Sequence, residues 1–392
     1  MLPNSVQHQE EALAPLAASL TGGHVGHAYL FHGPAGVGKT RLALWFARAL
    51  LCEKRGTSRG GVAGKSASGE IGPCERCPSC VASAALRHPD LELLLPLPSF
   101  RTEGRTEKQA DEARSEARAE ALGRYAREPF FTPTYAKQPV HSVEDLARAK
   151  FFLNLTSQRE GGTKVLIVKG AEAMTGPAAH AFLRILEEPH PNRVLILGAR
   201  QVRALLPTIA SRCLHVRFRP LPEAFLAGAL IERGVSKGTA RLAAALAQGS
   251  LGRALAPFEA PLDAPGAAPE EADFAKLRSV AKELFIRPGS TAVLAPLRRG
   301  RMERDRGRFL AAVSLAIHYY RDVLRTKVLG DGTALANEDW KREIVADAAT
   351  LPLPALSKRI RILEEIASSV QSNVTAAYAV ASAQHRMGLG AA

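Results

Sequence analysis

One stretch narrows the possible folds more than any other: Gly33-Pro34-Ala35-Gly36-Val37-Gly38-Lys39-Thr40. It fits G-x-x-x-x-G-K-[ST] at every fixed position. Glycines at this spacing let the backbone wrap so that its N–H groups face the β- and γ-phosphates of a nucleotide. Lys39 adds a point charge, and Thr40 presents a hydroxyl to magnesium at a helix N-terminus. The flanks agree with the motif. Residues 28–31 read as a short buried strand and residues 39–51 as an apolar helix.

Further along, residues 142–155 predict a helix, 164–168 a strand, 176–188 a helix and 193–198 a strand. That alternation argues for a parallel sheet with crossover helices. Thr175 caps the helix at 176, Pro177 suits its first turn, and Pro189 ends it; Ala179, Phe182, Leu183 and Leu186 share one face. A last strand is expected at 214–218. Residues 53–72 are Gly/Ser/Lys-rich and read as a mobile loop. A second insert, 97–137, carries dense mixed charge and reads as a solvated helix with i,i+4 pairing.

Five cysteines are unevenly spread. Cys74-x-x-Cys77-x-x-Cys80 follows Cys52, and Cys213 stands apart. Four thiolates at that spacing suit a tetrahedral ion such as zinc, and four protein ligands leave no open position, so the expected site is structural. Ser211-Arg212-Cys213 sits before the last strand, where Arg212 is a candidate to reach the nucleotide of a neighbouring subunit, a contact worth about 10³–10⁵ in rate. Gly249-Ser250-Leu251-Gly252-Arg253 offers Arg253 as a second arginine over the phosphates, or simply a loop between helices.

The segment VLIVKGAEAM, 165–174, departs from the pattern of an active ATPase. A strand in this place should end in an acid that holds magnesium, but Lys169 and Gly170 follow Val168. Glu172 is the nearest carboxylate and is expected to face solvent, too displaced to serve as the ligand.

Charge adds a partner class. Lys and Arg number 52 against 38 Asp and Glu, a formal charge of +14. Such an excess favours polyanions through counterion release, and simple solubility accounts for it equally. Aromatics are only 6% and do not interleave with basic residues, so any nucleic-acid contact should grip backbone rather than bases. No apolar run approaches the ~20 residues of a membrane span, and the first residues lack a secretory pattern. The cytoplasm is the expected compartment, with no membrane partner.

Taken together, HAYLFHGPAGVGKT, the CxxCxxC, AFLRILEEPHPN and LLPTIASRC resemble, in order and spacing, the bacterial clamp-loader subunits of DNA polymerase III, members of the AAA+ ATPases. The likeness covers residues 1–255; beyond them SSVQSNVTAAYAV, 368–380, is the best-matched piece. Within that family the gamma/tau motor ends its strand in Asp-Glu and places Thr or Ser on the next strand to sense γ-phosphate. Here those positions are Lys169-Gly170 and Ala199. The resemblance is therefore to the delta-prime branch, in which catalytic parts are degraded while the Ser-Arg-Cys arginine persists.

That resemblance implies an α/β P-loop AAA+ module at 1–220, with a zinc module at about 52–90 and the charged helical insert at 97–137. A helical lid at 221–256, a linker at 257–273 and an all-α collar at 274–392 follow. It implies structural zinc and ATP or ADP, with magnesium disfavoured. Implied partners are gamma/tau and delta subunits, the sliding clamp through the assembly, and primed DNA held by its phosphates. Two rival readings stay open: a gamma/tau-like motor with an atypical metal site, and a stand-alone DNA-remodelling AAA+ ATPase.

Overall fold

The structure, a computed structural model, describes residues 8–54, 72–100, 106–127, 139–188, 190–255, 258, 271–288, 306–371 and 376–389. The expected loop at 53–72, the linker at 257–273 and Pro189 fall wholly or mainly outside these residues, as do parts of the insert at 97–137 and of the segment 368–380. The chain divides into two compact units. One runs to Leu221 and includes Ser250–Gly252; the other holds Pro222–Gly249 and the chain from Arg253 onward.

The first unit is built on five strands: β1 (Ala28–His32), β2 (Leu91–Leu94), β3 (Lys164–Lys169), β4 (Arg193–Ala199) and β5 (Leu214–Arg217). They pair in parallel in the order β2-β3-β4-β1-β5. Parallel strands covered on both faces must be apolar throughout, which explains runs such as YLF and VLIV. One face buries Tyr29, Phe31, Val165, Ile167 and Ile196. The other buries Leu30, Leu166, Val168, Leu195 and Leu197. This is the P-loop AAA+ arrangement that the sequence implies. The strand missing from that reading is β2, four residues in a proline-rich stretch.

The helices of this unit, in chain order, are α1 (Glu10–Thr21), α2 (Lys39–Leu51), α3 (Pro78–Ala84), α4 (Glu107–Arg127), α5 (Val143–Asn154), α6 (Gly176–Glu187) and α7 (Pro207–Ala210). Residues of α1 and α2 cover the first face, and those of α5 and α6 the second. α5 begins with a reciprocal capping box: the Ser142 hydroxyl accepts from Asp145 N, and Asp145 Oδ2 accepts from Ser142 N at 2.9 Å. At α6 the Thr175 hydroxyl accepts from Ala178 N at 3.4 Å, as the sequence predicts.

The insert helix α4 corrects the expectation of a solvated excursion. Arg114, Arg118, Ala121 and Tyr125 recur at helical spacing on one face. Arg114 ion-pairs Asp145, Arg118 ion-pairs Glu92, and Ala121 and Tyr125 lie in the core. The charges on this face find carboxylates of the sheet and of α5, so the helix docks despite its polar composition.

The second unit is helical: α8 (Glu223–Ile231), α9 (Lys237–Ala247), the end of α10 (Leu251–Leu255), α11 (Glu271–Phe285), α12 (Arg306–Leu329), α13 (Lys341–Thr350), α14 (Leu353–Gln371) and α15 (Ala376–Arg386). It contains both of the segments that the sequence divides into lid and collar. Phe285, Phe309, Tyr319, Tyr320, Leu363 and Val380 lie at its centre. Two buried phenols there are matched: Tyr319 donates to Asp347 Oδ2 at 2.8 Å, and Tyr320 to the Phe285 carbonyl at 2.7 Å. No helix among the described residues is long and apolar enough to cross a membrane.

Candidate functional site

The phosphate loop follows β1 and ends at the start of α2, so the helix N-terminus faces the loop. Gly38, the residue before α2, takes φ 98°, a left-handed conformation that favours glycine. Gly36 has φ +70°, and a Cβ on it would lie 2.3 Å from Ser250 Oγ and 3.0 Å from Gly252 N. Gly252 N also donates to the Gly36 carbonyl at 3.3 Å, so residues after α9 brace the loop from outside. Gly33, Pro34, Ala35, Gly36, Val37 and Gly38 thus form the loop that leads into Lys39 and Thr40, the first residues of α2, with Val37 buried beneath it.

Lys39 Nζ donates to the Gly33 and Pro34 carbonyls at 2.6 and 2.5 Å. Burial pushes its pKa down to about 8; the Glu172 charge opposes the shift and Arg200 adds to it. Burial pushes the pKa of the Tyr125 phenol up, with Thr40 and Arg41 opposing the shift.

At the metal side, Lys169 closes β3. It pairs in register with Gly198 of β4, which pairs with Phe31 of β1, so the three residues form one row across the sheet. The Lys169 ammonium lies 4.6 Å from the centre of the Tyr125 ring. Burial, then the charge of Lys39, lowers its pKa to about 8. Ala199, at the end of β4, accepts from Gly33 N at 3.3 Å through its carbonyl, and its methyl offers no hydrogen bond.

Glu172 corrects the expectation that it faces solvent. The left-handed Gly170 turns the chain into a short 3-10 helix, Ala171–Ala173, and the carboxylate is only 22% exposed. Its Oε1 is 3.6 Å from Arg200 Nε, and its Oε2 is buried without a hydrogen-bond partner among the described residues.

The four cysteines converge. Cys52 follows the last turn of α2, Cys77 caps α3 and Cys80 lies within it. All four Sγ atoms lie within 4.8 Å of one another and are buried, and none is disulfide-bonded. Cys77 N and Cys80 N each donate to the sulfur three residues earlier at 3.4 Å. A tetrahedral ion with sulfur at ~2.3 Å places its ligands roughly 3.8 Å apart, close to the 4.0 Å between Cys74 and Cys80 Sγ. The donor set therefore fits such an ion. Burial raises the Cys74 pKa, but the Arg76 and Cys77 N–H groups and neighbouring thiols outweigh it and bring the pKa to about 6. Burial pushes Cys52 and Cys80 upward.

A polar chain ties this module to the sheet. Ser79 Oγ meets His88 Nε2 at 3.0 Å, Asp90 N donates to His88 Nδ1 at 3.0 Å, and Lys164 Nζ lies 2.8 Å from Asp90 Oδ1.

Arg212 follows α7. Its Nη2 donates to Glu187 Oε1 at 2.9 Å, and it is partly exposed. Cys213, the lone fifth cysteine, is buried and its thiol donates to the Ile209 carbonyl at 3.3 Å. Arg253 belongs to the second unit, is exposed, and its charge acts on His318 there.

Comparison with known proteins gives one family model, described as DNA polymerase III, delta subunit, matching residues 8–222. A DNA polymerase III subunit delta' of Pseudomonas aeruginosa is 35% identical over 198 residues, 50% of this chain and 44% of that protein. One of Bacillus subtilis is 29% identical over 236 residues, 60% of this chain and 55% of that protein. A gamma/tau subunit of Mycobacterium tuberculosis is 29% identical over 214 residues, 55% of this chain and 28% of that protein. The chain thus spans about half the length of the delta' relatives it matches, and less of the gamma/tau relative.

Proposed function

This chain belongs to the family described as DNA polymerase III, delta subunit, and from that membership we propose that it serves as a delta-prime-type subunit of a clamp loader, placing the sliding clamp on primed DNA. In this reading it assembles with gamma/tau and delta subunits. Arg212 stabilises the transition state on a neighbour's ATP. The Cys52, Cys74, Cys77 and Cys80 thiolates hold a structural zinc, and the excess positive charge helps the assembly grip DNA by its phosphates.

The observation that carries the reading is the split in the site. The phosphate loop keeps every residue of its motif, while the two neighbouring strand ends present Lys169 and Ala199 instead of an acid and a hydroxyl. A chain so equipped binds nucleotide without hydrolysing it efficiently and acts on a partner's nucleotide instead.

Reconstitution with gamma/tau and delta subunits tests this. Arg212→Ala should lower DNA-stimulated ATP hydrolysis by about 10³ or more at the neighbouring site, while the isolated chain turns over little ATP with or without Lys39→Ala. Robust Lys39-dependent hydrolysis by the isolated chain would favour the motor reading instead.

A further inference from the structure

The corner where a nucleotide-bound magnesium would sit is lined by groups that do not suit it. Magnesium is a hard cation that wants oxygen ligands in near-octahedral geometry. Here the strand-end acid is replaced by Lys169, a second ammonium in the field of Lys39. The Tyr125 ring packs against the Lys169 ammonium, which lies 4.6 Å from the ring centre. Glu172 Oε1 lies 3.6 Å from Arg200 Nε, its Oε2 is buried without a hydrogen-bond partner among the described residues, and its charge acts on Lys39. An amine where the strand-end acid belongs, beside a carboxylate shared with an arginine, makes a poor magnesium site.

The same groups make a good site for a polyanion. An ammonium at this strand end and Lys39 at the loop both favour negative charge, and α2 directs its N-terminus at the loop. The row Lys169–Gly198–Phe31 puts Lys169 level with the strand that feeds the phosphate loop. We propose that the loop takes a nucleoside di- or triphosphate without a divalent cation, with Lys169 supplying the countercharge that a metal brings elsewhere. Tyr125, delivered by the insert helix α4, packs against Lys169. This inference rests on the nucleotide-binding reading above.

Calorimetric titration of the whole chain with ADP and with ATP, in EDTA and in excess magnesium, tests it. The expected result is affinity that agrees within about twofold between the two buffers, and that Lys169→Ala weakens at least about tenfold in both. Lys169→Met, which keeps the apolar stem against Tyr125, should weaken binding by a similar factor, and a urea melt checks that both variants are folded. Glu172→Gln should leave affinity unchanged or raise it. Binding by the parent chain only when magnesium is present overturns the proposal and leaves the nucleotide reading standing. Unchanged affinity in both Lys169 variants also overturns it, as does a magnesium-dependent gain that Glu172→Gln removes, which would make Glu172 a metal ligand. No binding in either buffer overturns both readings.

Discussion

Arg212 Nη2 donates to Glu187 Oε1 at 2.9 Å, while its Nη1 donates to the Thr208 carbonyl at 3.0 Å. The pair is well exposed to water, so its worth to folding is at most about 1 kcal/mol. Its consequence is orientation of the guanidinium. Glu187→Ala should leave the urea midpoint of the chain almost unmoved and lower the neighbour's turnover in the reconstituted loader, by less than Arg212→Ala does. Steady-state hydrolysis by the two assemblies, side by side, checks this.

Lys164 and Asp90 form a buried pair at 2.8 Å, with Ser157 Oγ donating to Asp90 Oδ2 at 2.9 Å. Lys164→Met strands a buried carboxylate and should cost about 3–5 kcal/mol in denaturant unfolding. Burial alone would raise the Asp90 pKa, but Lys164, Ser157 and Gln158 hold it below the usual carboxylate range. Its contribution is therefore present above the unfolded pKa of ~3.9 and is lost as pH falls through the lower folded value. The parent chain should lose stability more steeply below about pH 4 than Asp90→Asn does.

His318 lies buried in the second unit, and desolvation, with Arg321 and Arg253, lowers its pKa to about 4 against the opposing pull of Asp322. Because the folded value lies below the unfolded ~6.5, the unfolded chain binds its proton first. Stability should fall between about pH 6.5 and 4 by on the order of 3 kcal/mol. His318→Gln should flatten that slope, measured as urea midpoints across the range.

The cysteine cluster predicts about one zinc per chain by atomic absorption, lost in any single Cys→Ser variant of Cys52, Cys74, Cys77 or Cys80. Cys213→Ser should retain it, since Cys213 lies outside the cluster.

Gly36→Ala puts a side chain in a left-handed turn and against Ser250 and Gly252. The backbone conformation alone costs ~1–2 kcal/mol. Thermal melting should register that loss, and nucleotide titration should register a larger fractional fall in affinity, because the loop is what moves.

Most of the site was legible because its signals are local. The phosphate loop is a backbone geometry written in Gly33, Gly36 and Gly38, and the capped helix α6 carries Thr175 and Pro177 where caps belong. The cysteine cluster was legible from spacing, even with a long gap after Cys52. β2 was not, since four apolar residues beside prolines carry no period. The docking of α4 was hidden for a different reason. Its contact face, 114-118-121-125, has a helical period, but two of the four positions are arginines whose partners, Asp145 and Glu92, lie 31 and 26 residues away. Glu172 was misjudged because a single left-handed glycine turns it inward.

The two insertions interrupt the sheet at opposite edges, and this sets how much freedom each had to change. α2 spans about 20 Å from the phosphate loop to Cys52, so the cysteine module hangs from the amino edge, away from the phosphate loop. It is a brace that chemistry can ignore. α4 instead leaves from the carboxyl edge, where ligands of parallel sheets bind. An elaboration there cannot be neutral: in this chain it brings a phenol ring against the lysine that ends β3.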